Sequence, residues 1–155
     1  MSGDYLERPP MKILVMGLPG AGKSTLSRAL APMLGAVYFN ADEVRANLNK
    51  ELGFSLEDRI EQARRMGWLC DRVVEAGGVA LADFVCPTQE TRAAFGPAFV
   101  VWVDRIAEGR FQDTNRLFSP PEVFHVRITP EGDAVTWAER VRKALQLPNK
   151  IAVRA

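Results

Sequence analysis

Histidine and cysteine are scarce in this chain: His125 stands alone, and Cys70 and Cys86 are the only thiols. They lack the spacing of zinc ligands or of a disulfide framework, so two buried thiols are expected instead. An excess of either charge is missing too, with 20 Lys and Arg against 19 Asp and Glu for a net charge of +1. That balance gives no basis for a nucleic-acid polymer or a membrane surface as partner, although a local basic pocket stays open. No stretch approaches the ~20 apolar residues of a membrane span, and none is repetitive. Residues 1–10 are polar and lack the apolar segment of a secretory signal. A flexible N-terminal arm and a cytoplasmic location are the expectations.

What is present is an ordinary globular composition, 47% hydrophobic and 25% charged over 155 residues. It suits a single domain, expected over residues 11–147, with 148–155 as a tail from Pro148 onward. Residues 11–17 form a nearly continuous apolar run, as in a parallel strand covered on both faces. A glycine-rich turn follows, then a helical pattern over 24–34 with Gly35 at its stop. Residues 36–40 read as a second strand and 42–48 as a short helix. Ser55 and Asp58 resemble a capping box opening a helix to about Ala76. On it Ile60, Ala63, Gly67, Cys70 and Val74 share one face. Strands over 79–84, 99–104 and 123–129 alternate with helices over 88–95 and 134–147. The alternation predicts an α/β fold, a five-stranded, mostly parallel sheet with helices on both faces. Residues 105–121 exceed the usual loop length and are expected to be an irregular functional loop or lid.

The turn carries the chemistry. Gly17, Leu18, Pro19, Gly20, Ala21, Gly22, Lys23 and Ser24 match GxxxxGK[ST], the Walker A phosphate loop of the P-loop NTPase fold, with Thr25 next in line. Its glycines let successive N–H groups turn inward onto phosphate oxygens. Lys23 places a positive charge at the β- and γ-phosphates, and Ser24 offers a hydroxyl to Mg²⁺. The helix that follows aims its positive end at the same anion. Residues 17–25 are therefore assigned to ATP, with ATP and Mg²⁺ as cofactors. No NKxD-type guanine motif is present and the chain is short for a motor ATPase, so a kinase is favoured.

The stretch NADEVRANLNKELGFSLEDRIEQARR, beginning at Asn40, and ADFVCPTQETR, ending at Arg92, resemble the adenylylsulfate kinases. That family's pattern is roughly DGDNxRxxLNxxLGFSxEDRxENxRR, then a strand ending in SFISP. The resemblance covers about residues 12–92. It implies transfer of phosphate from MgATP to the 3′-hydroxyl of adenylylsulfate or a closely similar nucleotide. It also implies roles: Asp42, with Lys23, in catalysis, Asp42 beside the acceptor hydroxyl; Arg45 and Arg59 on the acceptor's anionic group; Asn49 in the same pocket; Phe54 stacked on the base. Related kinases are often dimers, so a homodimer is a further expectation. Bland roles stay open: Asp42 as a helix cap, Asn49 as a C-cap, Phe54 as core, and Glu61 paired with Arg65 on the solvated face of the helix.

Three departures stand out. Asn40 replaces the first acid of DGDN, and an amide cannot accept a proton as a base does. Asp83 stands where SFISP begins, at the end of an apolar strand, the place of an acid that holds magnesium through water. A turn or cap residue is the alternative there. The lid is short, offering Arg105, Arg110 and Arg116 for phosphate and Phe111 and Phe118 for the base. That leaves open a sibling acceptor such as cytidine diphosphoramidate, or a nucleotide-binding regulator that has lost transfer.

Overall fold

The structure, a computed structural model, describes residues 11–109 and 111–146. The expected arm, the tail, Arg110 and the helix end at Leu147 lie outside them. The elements run β1 (Met11–Met16), α1 (Lys23–Leu34), β2 (Val37–Asn40), α2 (Ala41–Asn47), α3 (Leu56–Glu75), β3 (Val79–Phe84), α4 (Gln89–Phe95), β4 (Phe99–Val103), α5 (Gln112–Leu117), β5 (Val126–Ile128) and α6 (Ala134–Leu145). All pairings are parallel, in the order β2-β3-β1-β4-β5. The expected α/β sheet is therefore found, and it is the layout of a P-loop NTPase fold.

Alternation along β1 creates two cores. Ile13 and Val15 join Leu26, Leu30, Val101 and Val141 beneath α1 and α6. Leu14 and Met16 join Val44, Met66, Ala82 and Phe95 beneath α2, α3 and α4. On α3 the expected face is buried at Ala63, Gly67 and Cys70, together with Met66 and the polar Gln62. Gly67 is where α3 meets α4: a Cβ there would stand 2.2 Å from the Phe95 carbonyl oxygen.

Three local readings change. Ser55 caps α3 by accepting from the Asp58 N–H at 3.1 Å, but the Asp58 carboxylate accepts from the Gly53 N–H at 2.8 Å, so the reciprocal half of the box is not made. The full capping box lies instead at Thr88 and Thr91, opening α4. The fifth strand is shorter than expected, because the His125 ring stacks on Phe99 and its Nδ1 accepts the Val100 N–H at 3.0 Å. The His125 N–H also donates to the Val100 carbonyl at 2.9 Å, so one residue answers both main-chain groups of Val100. Finally, the segment expected to be irregular contains α5, whose N–H of Phe118 closes on the Thr114 carbonyl.

In this strand order the chain leaves β1 for one side and later crosses to the other. The crevice at the C-terminal strand ends near β1 is where such sheets bind ligands. Register aligns Val15 with Asp83 and Asn40 with Asp83, so the ends of β2 and β3 lie beside the turn that follows β1.

Candidate active site

The turn after β1 is shaped by close approach and by backbone hand. At Gly17 a Cβ would stand 2.5 Å from the Val103 carbonyl oxygen, so only glycine lets the turn pass β4. Gly22 is left-handed at φ 101 and leads into α1 without a side-chain cap, so the first-turn N–H groups face outward, as anion binding requires. Lys23 Nζ donates to the Leu18 carbonyl at 3.0 Å, holding its charge across the loop.

Beside this loop sits a buried polar cluster. Asp83 is 2% exposed; Asn40 Nδ2 donates to its Oδ1 at 2.9 Å, and the Tyr38 hydroxyl donates to its Oδ2. The same Asn40 nitrogen lies 3.4 Å from Ser24 Oγ and from the Tyr38 oxygen. Asn40 Oδ1 accepts the Glu43 N–H at 3.1 Å, so Asn40, and not Asp42, caps α2. Burial pushes the Asp83 carboxyl up, against the opposing pull of Tyr38, Ser27, Lys23 and Asn40. Burial, with Asp83 next, also pushes the Tyr38 hydroxyl up to about 12, which keeps it a donor. Ser24 and Asp83 supply the hard oxygens that magnesium prefers. Among the described residues no three His, Cys, Asp or Glu side chains converge to form a complete cage.

On α2, Asp42 lies exposed in the first turn. Phe54 is 68% exposed, with the Arg45 guanidinium 4.5 Å and that of Arg59 5.6 Å from its ring centre. Arg45 donates to the Gly53 carbonyl at 2.7 Å, and Arg59 to the Phe54 carbonyl at 2.9 Å. Burial lowers the pKa of both guanidiniums, and the charge of Arg59 adds to the effect on Arg45. Asn49 is buried: its amide donates to Gln62 at 2.8 Å and accepts from Arg65 at 3.0 Å, while Gln62 reaches the Ala41 carbonyl at 3.3 Å. Asn49 therefore sits in a polar network joining α2 to α3. Arg65 also pairs with Glu61 at 2.7 Å, the expected helix pair.

The lid segment is tied down at several points. Arg105 donates to the carbonyls of Pro130 at 2.8 Å and Gly132 at 3.1 Å. Gly109 lies against the phosphate loop, where a Cβ would stand 3.0 Å from the Pro19 carbonyl oxygen. Arg59 Nη2 donates to Thr114 Oγ1 at 3.1 Å, linking α3 to α5. Phe118 packs against the second core, with the Arg92 guanidinium 5.9 Å from its ring. Arg92 also donates to the Cys86, Pro87 and Ser119 carbonyls. Phe111 is 58% exposed, and Arg116 is exposed. Behind the phosphate loop a cleft of about 160 Å³ is lined by Gly22, Thr25, Val103, Arg105, Ile128 and Trp137. Sequence reasoning did not single out Trp137 or Gln62; a tryptophan one turn into α6, just past a Gly-Asp cap, was the available signal for the first.

Strand, glycine turn, uncapped helix start and edge cluster define a P-loop protein of the small-kinase layout. Residues 9–100 match the family model for adenylylsulphate kinase, and the chain belongs to that family. The adenylyl-sulfate kinase of Shewanella baltica is 42% identical over 97 residues, 59% of this chain and 47% of that protein. The adenylyl-sulfate kinase of Oceanobacillus iheyensis is 47% identical over 81 residues, 49% of this chain and 41% of its own. The chain spans about half the length of the curated relatives it matches. A solved structure of a variant of the Mycobacterium tuberculosis APS kinase CysC superposes with a TM-score of 0.72 at 26% identity, covering 89% of this chain and 99% of that one.

Proposed function

We propose that the protein is a kinase that moves the γ-phosphoryl group of MgATP to the 3′-hydroxyl of adenylylsulfate or a closely similar nucleotide. One observation carries this: the segment after β4 touches both the phosphate loop, where Gly109 lies against Pro19, and the Arg45–Phe54–Arg59 cluster, where Thr114 accepts from Arg59. An exposed ring flanked by two guanidiniums suits a base next to an anionic group. The cleft lined by Trp137 and Arg105 suits the base of ATP.

In this assignment Lys23 and the first turn of α1 hold the β- and γ-phosphates and offset the charge that develops in transfer. Ser24 and Asp83 would hold magnesium, Asp83 through water, and the ion would supply positive charge to the phosphate oxygens. Asp42 orients the acceptor hydroxyl and takes its proton. Arg45 and Arg59 fix the acceptor's anion, and Phe54 stacks on its base. Asn49 belongs to the same pocket, where its bonds to Gln62 and Arg65 hold the chain after α2 against α3.

Incubation with γ-labelled ATP and a panel of acceptors tests the assignment. Label in the 3′-phosphate of adenylylsulfate is the expected result. Label only in a cytidine diphosphoramidate product would move the acceptor, and no acceptor-dependent label would point to a regulator.

A further inference from the structure

Asn40 and Asp83 are direct partners across the β2–β3 ladder, and their side chains are bonded. The amide at Asn40 is used at both ends: its oxygen caps α2 and its nitrogen donates to Asp83. An aspartate at position 40 would keep the cap but lose the donor, and it would set two carboxylates 2.9 Å apart. The identities of the two residues are therefore linked. A carboxylate at one position favours an amide at the other. Tyr38 completes the arrangement by donating to the second Asp83 oxygen. Ser27, fully buried on α1, acts on the same carboxylate and draws its pKa down.

We infer that Tyr38 and Asn40 are positioning residues that hold the Asp83 carboxylate toward Ser24, and that the magnesium-shell acid at this corner can stand on either β2 or β3. The inference rests on the kinase reading above and deepens it. Both Asp83 oxygens already accept one hydrogen bond from a neighbouring strand residue, which fixes the plane of the carboxylate before any metal arrives. Pre-orientation of this kind typically sets metal affinity by about 10–100-fold. Tyr38 and Asn40 are not catalytic in this account. They act by holding Asp83, and Asn40 lies beside Ser24 as well.

The test is a Mn²⁺ titration followed by electron paramagnetic resonance, with the full chain saturated by a non-hydrolysable ATP analogue. Affinity for the nucleotide alone is measured separately in EDTA. Tyr38→Phe should weaken Mn²⁺ binding about tenfold while leaving metal-free nucleotide affinity unchanged, a split that a merely structural role would not produce. Asp83→Asn should weaken Mn²⁺ binding further, and the exchanged pair Asn40→Asp with Asp83→Asn should recover most of the loss. Wild-type Mn²⁺ affinity in Tyr38→Phe would overturn the inference. So would an exchanged pair that folds, judged by circular dichroism and thermal midpoint, yet binds Mn²⁺ no better than Asp83→Asn. If the Asp83 variants fail to fold, Tyr38→Phe alone decides. A wild-type chain that binds neither nucleotide nor Mn²⁺ with it would instead sink the kinase reading, and this inference with it.

Discussion

Asp42 and Asn40 lie two residues apart and do different work. Asn40 spends its oxygen on the α2 cap and its nitrogen on Asp83, whereas Asp42 is exposed on the first turn of α2. Only Asp42 of the two can accept a proton from an acceptor hydroxyl. Asp42→Asn should therefore lower kcat by about 10²–10⁴-fold, the range for a lost general base, with ATP binding little changed. Asn40→Ala should lower kcat much less and show its effect in the magnesium needed for half-maximal rate. Steady-state kinetics over a magnesium series checks both, and the reverse ranking would reassign the proton acceptor. At this scale the phosphate loop was fully legible, because GxxxxGK[ST] is a contiguous signal read off residues 17–24. The Asn40–Asp83 bond was not, because 43 positions of chain separate its partners and only sheet register brings them together. The buried Gln62 was hidden for a related reason: a polar residue on an apolar helix face gives no sign of the Asn49 and Ala41 partners that satisfy it.

Helices and strands were legible wherever apolar periodicity was strong, as along β1, β3 and α3. The six residues of α5 were missed because their one buried side chain, Thr114, is polar and leaves no pattern to read. Two predictions belong to elements. Gly67→Ala gains about 1 kcal/mol of helix propensity, but its Cβ would stand 2.2 Å from the Phe95 carbonyl oxygen, a backbone atom that cannot swing aside. Overpacking of that kind costs about 1–3 kcal/mol, so net destabilisation is expected as a lower urea midpoint. The lid gives the second. Phe118 packs on the second core, so Phe118→Ala should lower stability by up to about 3 kcal/mol. Phe111 is exposed, so Phe111→Ala should change stability little. If Phe111 stacks on the acceptor base opposite Phe54, its loss weakens acceptor binding by about 1–3 kcal/mol, roughly ten- to a hundredfold in KM if binding equilibrates. Measured KM values for acceptor and for ATP in both variants separate packing from recognition; an unchanged acceptor KM in Phe111→Ala would remove that ring from the pocket.

Across the whole molecule, the segment after β4 links the phosphate loop, through Gly109 against Pro19, to the Arg45–Phe54–Arg59 cluster, through Thr114, while Asn40 and Asp83 join the ends of β2 and β3. The proposed reaction is acceptor-dependent phosphoryl transfer. Its most direct measurement is ADP release from MgATP by the intact chain, with and without adenylylsulfate, beside a Lys23→Ala control. Removing that charge should abolish transfer while leaving the far-ultraviolet circular dichroism unchanged. Adenylylsulfate should raise ADP release well above the ATP-only background, with a 3′-phosphorylated product in equal amount, and Lys23→Ala should show neither. ADP release that is indifferent to every nucleotide acceptor offered, or that persists at normal rate in Lys23→Ala, would contradict it.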